Sequence, residues 1–274
     1  VFEEVLVTAE KRTESLQDLS QAVTVLTSDD LDKKQISTFV DISAIAPGVN
    51  VAKNEGFKTV ITIRGVGYET NQNAIATPSV SYHLDGIYIA SPYSLQTEFM
   101  DLERIEVLRG PQGTLFGQNS TGGAINVITS APSLEESSSY GDITIGDYSL
   151  IKTRASFNRP LSETLAVRAS FITHKRDGFT DNLSTGQDLD DADSISARVR
   201  FLYQPSETFR ANFTAQIFDE NRNGSAQKGL LDTTTDPRKL RQNSKTEHKL
   251  EASLYSAVLE LSLIHISEPT RQIV

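Results

Sequence analysis

The feature that most constrains this chain is a strict alternation of apolar and polar residues along its second half. From Ile151 to Asn158, one set of alternate positions carries Ile, Thr, Ala and Phe, and the other carries Lys, Arg, Ser and Asn. Successive side chains of a β-strand point to opposite faces, so this pattern predicts a strand with one apolar face. The same division recurs at 165–171, 195–203, 209–217 and 249–254. The second half is therefore predicted to be an antiparallel sheet of long strands.

The connections between these strands alternate between short and long. Short turns are predicted at 159–162 and 205–207, and long polar loops at about 177–193 and 219–245. Two architectures fit strands of this kind. In a soluble antiparallel sheet the apolar face would cover a core. In a transmembrane β-barrel it would face lipid, with short turns at one rim and long loops at the other.

Arginines on the polar faces favour the barrel. An arginine is seldom buried in a dry interior unless it is paired, whereas a wet lumen accommodates it. Five arginines take such positions: Arg154, Arg168, Arg198, Arg200 and Arg210. The barrel orientation predicts that the opposite face meets lipid through Ile151, Phe157, Val167, Phe171, Val199, Phe201, Phe213 and Leu254.

The first 130 residues carry a different pattern, of short mixed elements. One helix is predicted where Ser28 precedes two acidic residues, and another from about Thr38 to Pro47-Gly48. Asp85-Gly86 predicts a hairpin, since this dipeptide tolerates the positive φ angles of a two-residue turn. The pattern indicates a compact α+β domain followed by a linker at 131–137. Its short strands are predicted at 59–64, 80–84, 87–89, 104–108 and 124–129.

Five glycines crowd the segment RGPQGTLFGQNSTGGAINVIT, Arg109 to Thr129. A phosphate-binding loop would need Lys and then Ser or Thr after its second glycine, but Gly123 and Ala124 follow Gly122. A dinucleotide-binding loop would open a helix, whereas β-prone residues come next here. The segment is therefore predicted to use glycine for sharp turns and close packing.

Composition narrows the classes of function. A net charge of −10 argues against nucleic acid as a partner, and the absence of Cys excludes disulfides and thiol chemistry. The four histidines lack the spacing of metal ligands, and no serine lies in a G-x-S-x-G turn. A soluble carbohydrate enzyme would need paired carboxylates in a cleft, which the sequence does not display. Neither a metal, a cofactor nor an enzymatic activity is predicted.

Four blocks of sequence occur in the order found in one family. They are EEVLVTAEKR (Glu3 to Arg12), TIRGVG (Thr62 to Gly67), VSYHLDGIYI (Val80 to Ile89) and the run from Asp101 to Thr129. Together they resemble the plug domain of TonB-dependent outer-membrane receptors. The resemblance implies an α+β plug, facing the periplasm, inside an antiparallel 22-stranded transmembrane β-barrel in the cell outer membrane of a Gram-negative bacterium.

The resemblance also implies a function. Such receptors import scarce nutrients, and the expected cargo is a ferric siderophore or a similar iron complex, with haem, cobalamin or an oligosaccharide as alternatives. The energy would come from the proton-motive force through the periplasmic protein TonB. Expected partners are TonB with its inner-membrane energising complex, outer-membrane lipid and a small nutrient ligand such as a metal chelate. A periplasmic binding or signalling module is the alternative, and the alternation after Pro132 argues against it.

The resemblance divides the chain into a TonB box with the start of the plug over 1–12, the plug over 13–131 and the first barrel strands over 132–260. Only about six strands follow the plug, so this chain is expected to be a fragment. Residues 261–274 begin with LSLIHISEPTRQ, which breaks the alternation and resembles a translated sequencing adapter. They are expected to be non-native, and the alternative is a genuine strand at 259–266 ended by Pro269.

The TonB box is the first set of site residues that the resemblance implies. A short β-prone run near a chain end can add as a strand to the edge of a partner's sheet. One alternative is that this run is the first strand of the plug, and another is that the box lies further upstream. The matching residues are Glu4, Val5, Leu6, Val7, Thr8 and Ala9.

The second set is the plug signature, which is expected to hold the plug in the barrel. Its glycines are interpreted as turn and packing residues. Arg64 and Arg109 are expected to pair with acidic groups of the plug or the barrel wall, and the alternative is that both are ordinary surface arginines. The set comprises Arg64, Gly65, Asp85, Gly86, Glu106, Arg109, Gly110, Pro111, Gly113, Gly117, Gly122 and Gly123.

Overall fold

Short strands and helices make up the N-terminal domain, residues 22–130. The computed structural model describes residues 6–7, 14–15, 22–54, 58–67, 78–90 and 98–262. At the centre of the domain is a mixed five-stranded sheet. Its strands, in spatial order, are β3 (Val23–Thr27), β9 (Leu102–Arg109), β10 (Gly123–Thr129), β7 (Val80–Leu84) and β8 (Ile87–Tyr88). Strands β10 and β7 pair in parallel, and the other neighbours are antiparallel.

Two smaller sheets and three short helices accompany this sheet in the described part of the chain. One sheet pairs β1 (Leu6–Val7) with β2 (Glu14–Ser15). The other contains β4 (Val49–Asn54), β5 (Lys58–Ile63) and β6 (Val66–Gly67). The helices are α1 (Ser28–Lys33), α2 (Phe39–Ile42) and α3 (Gly113–Phe116).

The predicted helices begin close to their expected caps. The N-cap of α1 is Thr27, one residue before Ser28: the Thr27 Oγ1 accepts from the Asp30 N–H at 3.2 Å, and the Asp30 carboxylate accepts from the Thr27 N–H at 3.3 Å. This reciprocal pair satisfies N–H groups that a helix start leaves unpaired. Helix α2 follows Thr38 as predicted but ends at Ile42, before the predicted Pro47-Gly48. It ends early because the chain turns there, and the Ser43 hydroxyl accepts from the Val51 N–H at 2.7 Å.

The hairpin predicted at Asp85-Gly86 is confirmed. The two turn residues have φ angles of 49° and 80°, as a two-residue turn of this type requires, and they bring Leu84 opposite Ile87. Strands β7, β9 and β10 pack apolar side chains against α2 and β5. Ile42, Ile63, Ile105 and Ile125 are fully buried there. The domain therefore has its own apolar core. Burying each side chain of this size stabilises the fold by roughly 1.5–3 kcal/mol.

The second half of the chain forms an antiparallel six-stranded sheet, here called the wall sheet. It is open in the described residues, with edges at β11 and β19. Its strands, in spatial order, are β11 (Ser138–Gly146), β12 (Leu150–Ser162), β13 (Leu165–Arg176), β16 (Ala192–Ser206), β17 (Phe209–Arg222) and β19 (His248–Leu261).

The predicted turns and loops of the wall sheet need correction. Strand β12 runs through the predicted turn at 159–162 to Ser162, because Pro160 sits at a register shift where its missing N–H is tolerated. Strand β16 likewise runs to Ser206. The long loops are not wholly irregular. They contain β14 (Thr180–Asn182), β15 (Gln187–Leu189) and β18 (Lys239–Leu240), which pair in one small sheet that joins the two loops.

The two faces of the wall sheet differ as the alternation predicts. The inner face, toward the N-terminal domain, buries Ser156, Ser170 and Arg198, whereas the outer face exposes Phe157 and Val199. The inner face also buries three apolar residues, Ala166, Ile172 and Leu202. All five predicted arginines lie on the inner face.

Leu254 is a correction to that pattern. Together with Leu250 and Ala252 it lies on the inner face of β19, because Gln216 opposite it faces inward and Leu254 packs against the core of the N-terminal domain.

Candidate functional site: the interface between the N-terminal domain and the wall sheet

Asp101 attaches the N-terminal domain to the wall sheet through a bidentate ion pair. It stands just before β9 with a φ of 51°, which aims its carboxylate at β13. The Arg168 guanidinium donates to both carboxylate oxygens, at 2.7 and 2.6 Å, and Ser170 Oγ donates to one of them. Burial raises the pKa of the Asp101 carboxyl, but the hydrogen bonds from Arg168 and Ser170 outweigh burial, and the pKa lies below its ordinary value. Bidentate pairs of this kind are among the strong hydrogen bonds.

Glu98 makes a second attachment, nearer the end of the wall sheet that carries the long loops. Lys152 Nζ lies 2.5 Å from its carboxylate, and His174 Nδ1 contacts the other oxygen. Burial raises the pKa of Glu98, but the bond to His174 and the charge of Lys152 outweigh it, so the pKa is lowered. The N-terminal domain therefore presents two ionised carboxylates to basic residues of β12 and β13.

Two buried arginines of β16 bind the backbone of the N-terminal domain. Arg198 is 5% exposed and donates from Nη1 to the Met100 carbonyl at 3.0 Å. Arg200 donates to the carbonyls of Thr129 and Ser130 at 2.9 and 3.2 Å. These carbonyls lie at the end of β10 and one residue beyond it, so the guanidinium is bonded to the backbone where that strand ends.

Asp85 connects the hairpin turn to this interface. Its carboxylate accepts from the backbone N–H and the hydroxyl of Thr129, both at 2.8 Å, and lies 3.7 Å from Arg200 Nη1. Gly86 follows it in the turn. Asp85 is thus a plug-signature residue whose side chain meets the wall sheet.

The glycine-rich segment packs within the N-terminal domain. Gly110, Gly117 and Gly123 have φ angles of 98°, 75° and 150°. A Cβ on Gly123 would lie 2.4 Å from the Leu108 carbonyl oxygen, and one on Gly122 would lie 3.0 Å from Val66. Gly113 differs, since it begins α3 and its Cβ would meet no atom within 4 Å. The exposed Pro111 precedes the Gln112 cap of that helix, and Gly65 has a φ of 77°.

The arginines of the plug signature do not pair with carboxylates among the described residues. Arg109 donates to Thr24 Oγ1 at 3.0 Å and to the Pro47 carbonyl at 3.4 Å, because β3 and the turn before β4 border the end of β9. Arg64 is exposed, and its backbone N–H donates to Gly48 O at 2.6 Å. Glu106 is fully buried inside the domain, where it accepts from Asn126 at 3.1 Å and from Arg104 Nε at 2.8 Å.

The predicted TonB box is described in part. Leu6 and Val7 form β1 and pair with Ser15 and Glu14. Glu4, Val5, Thr8 and Ala9 lie outside the described residues, as do residues 263–274 of the predicted tail.

Sequence reasoning missed Glu98 and Asp101, the carboxylates that hold the interface. Asp101 opens one of the blocks that carry the resemblance, but a single acidic residue before a strand has no spacing that distinguishes it. The sequence feature that pointed to this interface was the set of arginines on the inner face of the wall sheet. A buried arginine needs an acidic or carbonyl partner, so these arginines implied such partners on the N-terminal domain.

Cavities separate the polar contacts of the interface. One of about 240 Å³ is bordered by Leu31, Asp32, Asp101, Arg154 and Arg168. An interface of ion pairs and cavities depends on specific bonds more than on apolar packing. No helix in the described residues is long and apolar enough to cross a membrane, and no three acidic or histidine side chains there converge as a metal site would need.

An α+β domain is thus docked by acidic residues onto an arginine-lined antiparallel sheet. Residues 15–124 match the family model of the TonB-dependent receptor plug domain. The chain belongs to the TonB-dependent receptors, which lie in the outer membrane of Gram-negative bacteria. From here the N-terminal domain is called the plug.

Relatives agree with this family, and a solved structure agrees with its fold. The chain is 31% identical over 192 residues to the pesticin receptor of Yersinia pestis, which covers 67% of this chain and 27% of that receptor. It is 27% identical over 278 residues to the ferric enterobactin receptor PirA of Pseudomonas aeruginosa, covering 85% of this chain and 36% of PirA. The crystal structure of the ferric yersiniabactin uptake receptor FyuA from Yersinia pestis superposes with a TM-score of 0.73 at 23% identity, over 87% of this chain and 38% of FyuA. The chain thus spans roughly a quarter to two fifths of the proteins that it matches.

Proposed function

We propose that the complete protein imports a ferric siderophore or a similar iron complex across the outer membrane, driven by the proton-motive force through TonB. The plug gates a closed 22-stranded barrel of which the wall sheet is the first part. The observation that carries this proposal is the docking of the plug by Asp101 and Glu98 onto basic residues of the wall sheet. These ion pairs can keep the plug docked against the wall sheet, and they can break while the apolar core of the plug stays folded.

The domain boundaries belong to the same proposal. Residues 1–12 hold the TonB box and the start of the plug, 13–131 the plug, 132–260 the first barrel strands and 261–274 a non-native tail. The family match over 15–124 and the start of β11 at Ser138 support the first two boundaries.

The coupling segment is β1 in this proposal. Within the described residues Leu6 and Val7 are extended and paired on one edge only, so the other edge has backbone groups to offer a partner strand. Strand addition of this kind gains its affinity from main-chain hydrogen bonds. The segment can therefore bind TonB without first leaving β2.

The cargo is proposed from the relatives. PirA is named for ferric enterobactin, and FyuA for ferric yersiniabactin, while the pesticin receptor is named for pesticin. An iron complex is the common chemistry of the first two. Haem, cobalamin and oligosaccharides remain the alternatives that the family allows.

The test uses the complete receptor, expressed in a Gram-negative strain that lacks other iron receptors. Leu6→Pro removes a backbone donor from β1, so we expect energised uptake of a radiolabelled ferric siderophore to fall to background while binding at the cell surface is unchanged. Leu6→Val, which keeps the donor, is the matched control and should transport normally. Uptake by the Pro variant at the wild-type rate would contradict the assignment of β1. Binding of haem or cobalamin instead of ferric siderophores would contradict the cargo.

A further inference from the structure

Three loops at one end of the wall sheet bring two arginines and two aromatic rings together. Tyr148 lies in the turn between β11 and β12, Arg176 ends β13, and Phe179 precedes β14. Arg238 comes from the long connection between β17 and β19, immediately before β18. The pairing of β18 with β14 brings it there, and the Asp181 N–H donates to the Arg238 carbonyl at 2.9 Å. Tyr148, Arg176, Phe179 and Arg238 are here called the arginine–aromatic cluster.

The Phe179 ring lies beside both guanidinium groups of the cluster. The guanidinium carbons of Arg176 and Arg238 are 4.8 and 4.9 Å from the centre of this ring. The guanidinium carbon of Arg238 is also 5.8 Å from the centre of the Tyr148 ring, and the two rings meet edge to face with their centres 6.0 Å apart. A guanidinium is attracted to a ring face without using its N–H donors, so these donors stay available to an anion.

Few of those donors are used within the protein. Arg176 donates from Nη2 to the Asp190 carbonyl, and Arg238 donates from Nη1 to the Tyr148 hydroxyl at 3.3 Å. Arg176 Nε is buried and makes no hydrogen bond among the described residues. Because each guanidinium carries five N–H groups, most of them are left for a ligand.

The two positive charges of the cluster also lack a carboxylate partner. In the described part of the chain, no carboxylate oxygen lies within 4 Å of a side-chain nitrogen of Arg176 or Arg238. By contrast, Lys152 at the same end of β12 is paired with Glu98. The Asp190 carboxylate accepts from other donors. Two cations beside one ring repel each other, so a bound anion would stabilise the cluster.

The turn that carries Tyr148 is strained. Tyr148 and Ser149 have φ angles of 58° and 56°, in the left-handed region that residues with a Cβ seldom adopt. The Tyr148 carbonyl accepts from the Asp177 N–H at 2.8 Å, which holds the turn against the end of β13. Backbone strain of this kind is concentrated at sites that bind ligands. Here the strained turn places the Tyr148 ring, which is 46% exposed, beside the two arginines.

The ligand that fits the cluster is a small oxyanion with two negative charges. Carboxylates and phosphates both match the fork of a guanidinium. A carboxylate carries only one charge, however, whereas a phosphate monoester carries about −1.5 to −2 near pH 7. Two guanidinium groups beside one ring are close enough for a single phosphate group to bind both.

We infer that the arginine–aromatic cluster binds a phosphate group through Arg176 and Arg238, with the exposed Tyr148 ring against the adjoining part of the ligand. Two sources carry this group: the headgroup of an outer-membrane lipid and a soluble phosphorylated compound. The inference goes beyond the proposed function and is tested apart from it, because phosphate binding is measured without any iron complex.

The experiment measures binding of radiolabelled inorganic phosphate to the complete receptor in neutral detergent, by equilibrium dialysis. We expect saturable binding that Arg176→Gln and Arg238→Gln each weaken by about tenfold or more, because each removes a charged donor. Arg241→Gln is the matched control. Arg241 is exposed in the same loop as Arg238 and lies outside the cluster, so this variant should bind as the wild type does.

Folding of every variant is checked by heat-modifiable mobility on gels. If Arg238→Gln does not fold, Arg238→Lys replaces it. Lysine keeps the charge but loses the planar fork, so this variant should also weaken binding, by several-fold. Acetate, which has a single charge, should displace the labelled phosphate less well than unlabelled phosphate does.

A second measurement distinguishes the two sources of the phosphate group. The immobilised receptor is mixed with detergent micelles that contain phosphatidic acid or, separately, diacylglycerol, which is the same lipid without its phosphate. Retention of phosphatidic acid alone, lost in Arg238→Gln, would assign the headgroup of a lipid. Binding of inorganic phosphate with equal retention of the two lipids would assign a soluble phosphorylated ligand.

Three results would overturn the inference. The first is that neither inorganic phosphate nor phosphatidic acid binds with saturation. The second is that Arg176→Gln and Arg238→Gln bind as tightly as Arg241→Gln, which would leave the cluster as a stacking arrangement only. The third is that acetate displaces the labelled phosphate as well as phosphate does, since the site would then not select a dianion.

Discussion

Gly123 is the residue at which the backbone of the plug leaves no room for a side chain. It begins β10 opposite Arg109, with a positive φ and with the Leu108 carbonyl oxygen where a Cβ would stand. Glycine alone meets both demands. Gly113 stands ten residues earlier in the same glycine-rich segment with open space around it and an ordinary φ. The two positions therefore separate the packing role of the segment from mere flexibility.

Gly123→Ala should destabilise the plug by about 2 kcal/mol or more, because the added methyl group forces the backbone of β9 and β10 apart. Gly113→Ala, at the first turn of α3, should leave stability unchanged or raise it by about 0.5–1 kcal/mol. Both values come from urea unfolding of the complete receptor in detergent, followed by tyrosine fluorescence. Equal effects of the two substitutions would return the segment to an ordinary flexible loop.

At the scale of residues, the sequence predicted the role of the glycines better than it predicted which side chains contact each other. The glycine segment was predicted to serve turns and packing because its spacing failed the phosphate-loop pattern, and the geometry at Gly122 and Gly123 agrees with that. Arg109 was expected to meet an acid, but it binds Thr24 and Pro47. Its partners lie more than 60 residues away in the chain, and spacing carries no information about such contacts.

At the scale of elements, the alternation of apolar and polar residues predicts which face of a strand is outside only where the same face is apolar along the whole strand. Strands β12 and β17 keep their apolar residues on the outer face along the predicted segments, whereas β13 and β16 also place Ala166 and Leu202 on the inner face. On β19 the apolar residues up to Leu254 lie on the inner face, whereas Leu259 and Leu261 are exposed on the outer face, so the apolar face changes near Tyr255. Sequence periodicity in 249–254 was read correctly as a strand and assigned to the wrong face. The small sheet of β14, β15 and β18 was missed because its strands are only two or three residues long.

Strand β16 offers a test of its two environments. Val199→Arg, in the middle of the outer face, should cost about 2–4 kcal/mol and reduce the folded receptor in outer-membrane fractions. Asp193→Arg, on the same face of the same strand near the long loops, is the matched control and should cost less than about 1 kcal/mol. Assembly is scored by heat-modifiable mobility on gels. Equal assembly of the two variants would mean that Val199 does not face hydrocarbon.

At the scale of the whole molecule, the plug and the wall sheet are joined by ion pairs. The plug has an apolar core of its own, against which Leu254 of the wall sheet packs, and the ion pairs of Asp101 and Glu98 join the plug to β12 and β13. Removing one partner of a buried ion pair costs roughly 3–5 kcal/mol, because the other charge is left uncompensated. Docking at Asp101 also depends on pH. The docked carboxyl has the lower pKa, so its stabilisation is present above the ordinary pKa of about 3.9 and is lost as pH falls through the lowered value.

The most direct test of this account is a double-mutant cycle between Asp101 and Arg168. Asp101→Asn, Arg168→Gln and the double variant are made in the complete receptor, and ion conductance through single receptors in planar bilayers is followed at increasing urea concentration. The midpoint of channel opening reports the stability of the docked plug. Glu103→Gln, an exposed acid two residues from Asp101, is the control and should shift the midpoint little. The account predicts that each single variant opens at lower urea and that the two effects are coupled by at least about 1.5 kcal/mol. Additive effects, or midpoints equal to wild type, would show that charge does not hold the plug against the wall.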